Sequence, residues 1–159
     1  MELCRMKHTE KPEQPSLSDI REATGILSDL KHELGAISRG KRILWVDDHP
    51  VNNEIATRVL KQAGLKIYTA LSTDEAVSML DRDAEAFDVI ISDMGRPGNA
   101  IAGMQLIHVI RKSWENLPII VYSDNPEAER RRGEIESFGA IGPVVGPKNL
   151  LAEIRSLLQ

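Results

Sequence analysis

The sequence predicts an α/β fold built on a doubly wound, five-stranded parallel sheet. Three observations carry that expectation. Short apolar runs recur along residues 42–159, and each is followed by a stretch with helical apolar spacing. Val89-Ile90-Ile91 is consecutively β-branched, which suits a strand buried on both faces of a parallel sheet. Acids or a hydroxyl stand where three of the runs end, at Asp47-Asp48, Asp93 and Ser123. That is the edge at which open α/β sheets gather their ligands.

Composition narrows the class. The 159 residues allow one domain plus an appendage, and 42% apolar residues supply a real core. A net charge of −4 with both signs interspersed leaves no nucleic-acid footprint. Cys4 is the single cysteine, which excludes an internal disulfide and a thiolate metal cluster. No apolar run reaches the length of a membrane span, and residues 1–15 lack a signal-peptide core. A cytoplasmic protein is expected, with neither membrane nor nucleic acid as partner.

Residues 1–15 read as a disordered lead-in. In residues 16–41, Ile20, Ala23, Leu27, Leu30, Leu34 and Ile37 recur at steps of three and four, the spacing of a coiled-coil seam. Asp19 is placed to cap this helix, and Gly25 and Gly35 each weaken it by about 1 kcal/mol. Such a helix needs a partner, either a second copy, giving a homodimer, or the domain that follows. His32-Glu33-Leu34 resembles the start of the phosphorylated histidine box of sensor kinases. Gly35-Ala36-Ile37 replaces its continuation, so a solvent-facing histidine is expected.

Residues 42–159 form the main domain. Ile43-Leu44-Trp45-Val46 is a strand ending in Asp47-Asp48, and Pro50 opens a helix with Ile55, Ala56, Val59 and Leu60 on its apolar face. Gly64 stops it, and residues 65–70 make the second strand. Ser72-Thr73-Asp74-Glu75 has capping-box spacing and starts a helix carrying Ala76, Val77 and Leu80. The central strand then runs to Asp93, followed by the turn-forming string Met94-Gly95-Arg96-Pro97-Gly98-Asn99.

A helix from about Gly103 bears Leu106, Ile107, Val109 and Ile110 and ends before Pro118. Pro118-Ile119-Ile120-Val121-Tyr122 is the fourth strand. Asn125-Pro126-Glu127 starts a weak helix, because residues 129–134 are almost wholly charged and Gly133 interrupts them. Residues 141–145 are an edge strand, broken by Gly142 and Pro143. Residues 148–158 close the chain as an amphipathic helix with Leu150, Leu151, Ile154, Leu157 and Leu158. Alternating strands and helices imply right-handed crossovers.

Three carboxylates meeting in one crevice repel one another unless a cation neutralises them or one is protonated. All-oxygen ligation in a shallow, wet crevice favours Mg²⁺ over Ca²⁺. Mg²⁺ normally sits beside a phosphate, and the Ser123 hydroxyl stands where it can reach a phosphoryl oxygen. A carboxylate is itself a competent nucleophile.

The order of acidic pair, lone acid, hydroxyl and Gly139-Ala140 over a five-fold β-α repeat resembles the receiver domain of two-component response regulators. Asp48-His49-Pro50-Val51-Asn52-Asn53 is especially close to that family's acidic turn. The resemblance implies a flavodoxin-like sheet in the order 2-1-3-4-5, with Asp93 as phosphoacceptor for a histidine kinase or phosphotransfer protein. It further implies that Asp48 and Asp93 ligate Mg²⁺, Asp47 mainly through water, and Gly95 through its carbonyl. Ser123 would hold the phosphoryl group, and the signal would pass by contact with an output protein. No enzymatic activity beyond self-catalysed phosphoryl transfer is expected.

Three departures stand against this pattern. Gly146 occupies the place of a lysine before Pro147, leaving Lys148 as the candidate substitute. Asp124 adds an acid after the hydroxyl, and Pro143 replaces a mobile aromatic. The alternative is therefore a degenerate receiver that binds partners without phosphate. Were phosphorylation retained, Gly146→Lys would be expected to raise labelling. An aspartyl phosphatase would want a second acid where Gly95 stands, and a DNA-binding regulator is not expected because no output domain follows Gln159.

Overall fold

Five parallel strands form one sheet in the order β2-β1-β3-β4-β5, as the sequence predicts. They are β1 (Arg42–Val46), β2 (Lys66–Ala70), β3 (Val89–Ser92), β4 (Ile119–Tyr122) and β5 (Ile141–Val144). The computed structural model describes residues 16–21, 25, 39–96 and 98–159. The lead-in over residues 1–15, Cys4, His32 and the seam positions Ala23, Leu27, Leu30, Leu34 and Ile37 lie outside the described residues. Residues 17–21 are helical, with Leu17 and Ile20 exposed.

The helices are α1 (Glu54–Gln62), α2 (Thr73–Asp83), α3 (Ala102–Ser113), α4 (Pro126–Arg130), α5 (Arg132–Ser137) and α6 (Pro147–Leu158). Side chains alternate across the pleat, so each strand feeds two cores. Ile43, Trp45, Val89 and Ile91 pack with Ala56, Val59 and Leu60 of α1 and Leu150, Leu151 and Ile154 of α6. Leu44, Val46 and Ile90 face Ala76 and Leu80 of α2, and Leu106, Ile107 and Ile110 of α3. Every residue of β3 is buried, as its β-branched run requires. Each such aliphatic side chain contributes roughly 1.5–3 kcal/mol on leaving water.

Local signals mostly act as their chemistry dictates. The Ser72 hydroxyl accepts from the Glu75 N–H at 3.1 Å, and the Glu75 carboxylate reaches back to the Leu71 N–H at 3.0 Å. Asn125 caps α4 by accepting from the Glu127 N–H at 2.9 Å. Three details differ from expectation. Pro50–Asn53 is a 3₁₀ turn that leads into α1 rather than its first turn. The expected single helix after Asn125 is two, split at Arg131; its charged stretch buries only Ala128 and Ile135, with Phe138 packed against the core just after it. Val109 is exposed on α3, since the apolar stripe runs through Leu106, Ile107 and Ile110.

Candidate functional site

Strand register places the acids. Val46 of β1 pairs with Ser92 of β3, so Asp47 and Asp93 leave the sheet side by side. The Asp93 N–H donates to the Val46 carbonyl at 3.2 Å, and the Asp47 N–H to the Ala70 carbonyl at 2.9 Å. Asp47, Asp48 and Asp93 each offer an oxygen, and these oxygens all lie within 4.8 Å of one another.

The three acids are held differently. Asp47 Oδ1 accepts from the His49 N–H at 2.7 Å, and its Oδ2 from the Asn53 side-chain amide at 2.6 Å. The 3₁₀ turn delivers Asn53 to that position. Asp48 Oδ2 lies 3.6 Å from His49 Nε2. Asp93 Oδ1 accepts from Arg96 Nε at 3.2 Å, while Asp93 Oδ2 is buried with no hydrogen-bond partner. Burial pushes the Asp93 carboxyl up from its ordinary value to about 7; Arg96 opposes the rise, and Asp47 and Asp48 add to it.

Arg96 was not singled out by the sequence, where the turn string is read for its Gly, Pro and Asn residues. Its side chain is 12% exposed and that of Asp93 13%, so their pair is largely out of water. Arg96 Nη1 donates to Thr73 Oγ1 at 2.9 Å. Arg96 and Asn99 also exchange both backbone hydrogen bonds, at 2.8 and 2.9 Å. Gly98, at φ +75°, makes that tight reversal possible. The available signal was an arginine three residues after a lone acid, inside a turn.

Beneath the site, Met94 is fully buried in the core. The Gly103 N–H donates to the Met94 carbonyl at 2.7 Å, docking the start of α3 on the loop that carries Asp93.

Ser123 follows β4, and its Oγ accepts from the Asn125 N–H at 3.1 Å. Asn125, Gly95, Asp48 and Arg96 line one crevice. Ser123 and the exposed Asp124 line a neighbouring cavity with Asn53 and Gly146. Lys148 is exposed on the first turn of α6 and is not among the residues lining either space.

Gly146 has φ +83° and ψ 152°, a region essentially reserved for glycine. A side chain there would meet open space but strained backbone. Gly146→Lys is therefore expected to lower stability by about 1–3 kcal/mol. Urea unfolding of the two proteins checks this, and strain on that scale works against the simple gain in labelling expected from the sequence.

The donor set fits a hard divalent cation: three carboxylates offer oxygens within 4.8 Å of one another, and Gly95 lines the crevice beside Asp48. Residues 43–154 match the family model for the response regulator receiver domain. The chain belongs to that family.

Among curated relatives, the sensor protein GacS of Pseudomonas syringae pv. syringae is 28% identical over 130 residues, 78% of this chain and 14% of that protein. The putative two-component response regulator ARR13 of Arabidopsis thaliana is 29% identical over 111 residues, 68% of this chain and 19% of that protein. The receiver thus spans less than a fifth of these relatives. Among solved structures, the response regulator TrrA of Thermotoga maritima, in complex with Mg²⁺ and BeF, has a TM-score of 0.61 at 27% identity. That match covers 74% of this chain and 99% of TrrA. The chemotaxis response regulator CheY4 of Vibrio cholerae has a TM-score of 0.60 at 26% identity, covering 74% and 98%. Among the described residues of this receiver, no helix is long and apolar enough to cross a membrane.

Proposed function

We propose that this receiver accepts a phosphoryl group on Asp93 from a phosphohistidine in a histidine kinase or phosphotransfer protein. The signal then passes through protein contacts, in the cytoplasm where such donors present their histidines. The observation that carries this reading is the convergence of Asp47, Asp48 and Asp93 with Asp93 Oδ2 buried and unpaired. A buried oxygen without a partner is costly, and it is retained here at the point where a nucleophile is wanted.

In the transfer, Asp93 Oδ2 forms its bond to phosphorus as the donor's P–N bond breaks and its electron pair returns to the imidazole, which takes up a proton. Asp48, Asp93 and the Gly95 carbonyl would hold Mg²⁺. Asp47, its oxygens held by the His49 N–H and the Asn53 side-chain amide, would hold it mainly through water. The bound ion would supply charge neutralisation for an in-line transfer. Ser123 accepts from Asn125, which leaves its own hydrogen for a phosphoryl oxygen. Lys148 would act only as a more distant cation.

Incubation with Mg²⁺ and acetyl phosphate, followed by intact mass, tests the assignment. The wild-type chain is expected to gain one phosphoryl group and Asp93→Asn none. An adduct that persists in Asp93→Asn would refute it. A second reading, a receiver that engages partners without phosphate, is favoured by the glycine-only backbone at Gly146 and predicts no adduct from any donor.

A further inference from the structure

We propose that Arg96 is a positioning residue for phosphoryl transfer: braced by Thr73, its guanidinium ties down Asp93 Oδ1 and leaves Oδ2 as the attacking oxygen. The inference rests on Asp93 being the phosphoacceptor, and assigns which of its oxygens reacts and what holds it.

The two oxygens of Asp93 are unequal. Oδ1 accepts from Arg96 Nε at 3.2 Å and has Nη2 at 3.2 Å as well, the latter without hydrogen-bond geometry. Oδ2 is buried with nothing bonded to it. A carboxylate clamped at one oxygen cannot rotate freely, so the other is presented in one direction. Positioning of this kind removes orientational freedom that a loose side chain would lose on reaction.

Arg96 is itself held at three points. Nη1 donates to Thr73 Oγ1 at 2.9 Å, and the backbone is locked by the reciprocal bonds to Asn99. The planar fork makes this possible, because separate nitrogens reach Asp93 and Thr73 together; an ammonium offers only one centre. Thr73 begins α2, just beyond β2, whereas Ser123 follows β4. In the order β2-β1-β3-β4-β5 these lie on opposite sides of β3, so the guanidinium leaves the Ser123 side open to a phosphoryl donor.

Charge gives a second, independent argument. Asp47, Asp48 and Asp93 gather three ionisable carboxylates, and Arg96 brings one fixed positive charge into contact with Asp93. Fully ionised, the remainder equals the charge of one divalent cation. The guanidinium therefore supplies the site's permanent cation from the β2 side, a place that exposed Lys148 does not occupy.

The test compares labelling by Mg²⁺ and acetyl phosphate in the full chain and its variants, followed by intact mass over time. Arg96→Met is expected to slow labelling of Asp93 about 10- to 100-fold, the range for losing a hydrogen bond to a charged group. Arg96→Lys should recover part of that loss and Thr73→Val should lose a smaller part. Lys112→Ala, an exposed change at the C-terminal end of α3, should label at the wild-type rate. A second readout needs neither metal nor phosphate: the Arg96 Nε–H resonance should be protected from exchange in the wild-type protein and lose protection in Asp93→Ala. Circular dichroism confirms that each variant is folded, and Arg96→Lys and Thr73→Val keep the test open if Arg96→Met is not.

Labelling of Arg96→Met at or above the wild-type rate would overturn the proposal and make the guanidinium a brake. So would loss of labelling in Lys148→Ala with Arg96→Met unaffected. A wild-type chain that takes no phosphoryl group at all would instead defeat the phosphoacceptor reading, and this one with it.

Discussion

Asp93→Asn is expected to stabilise the metal-free protein at pH 8 and to leave its stability near pH 3 almost unchanged. The folded chain holds the Asp93 proton up to about pH 7, against an ordinary value of 3.8 when unfolded. Between those values the unfolded state binds fewer protons, so stability falls as pH rises through the window. Above it, the loss reaches at most about 4 kcal/mol. Burial is the main cause, and it outweighs the attraction of Arg96. An amide does not ionise, so the variant escapes this loss while giving up part of the Arg96 contact. Urea unfolding of both proteins at several pH values, with chelator present, should show curves that diverge upward from about pH 4. Saturating Mg²⁺ should reverse the order at pH 8, because the cation stabilises the ionised carboxylate and the variant lacks it. Parallel curves in chelator would show that Asp93 ionises normally in the fold.

Gly103→Val should be severely damaging, with a loss above about 3 kcal/mol or failure to fold. A Cβ on Gly103 would overlap the Asp93 carbonyl oxygen and touch Cα of Met94 at 3.0 Å. Both obstacles are backbone, so neither can swing aside. Relief would require moving α3 away from the loop and breaking the Gly103 N–H bond to the Met94 carbonyl. The same movement would displace Asp93, so Mg²⁺ affinity should fall together with stability. Gly133→Ala is the matched control, since nothing lies within 4 Å of a Cβ there. It should gain about 0.4–1 kcal/mol by restricting the unfolded chain. Equal unfolding midpoints for the two glycine variants would remove the claim that α3 docks through Gly103.

The strands were legible because each is short, apolar and followed by an acid, a hydroxyl or a turn residue. The β-branched Val89-Ile90-Ile91 leaves little room for another reading, and all three residues are buried. The Ser72–Glu75 and Asn125 caps were legible for a similar reason, as each satisfies backbone donors within four residues. The weak helix after Asn125 was read from its charges, but the split at Arg131 was not. Where the helix breaks depends on which residues reach the core, and here those are Ala128, Ile135 and, just beyond α5, Phe138.

By itself, then, the sequence determined the alternation of strands and helices and the placing of Asp47, Asp48, Asp93 and Ser123 at strand ends. Those follow from short-range periodicity and turn chemistry, which a chain carries wherever it folds. Tertiary structure alone decided how the acids are wired. Register between β1 and β3 set Asp47 beside Asp93, and the 3₁₀ turn brought Asn53 onto Asp47. A tight reversal turned Arg96 back to Asp93, where it also met Thr73, 23 residues earlier. No local pattern encodes a contact across that separation. It exists because the sheet places the start of α2 and the loop after β3 at the same edge.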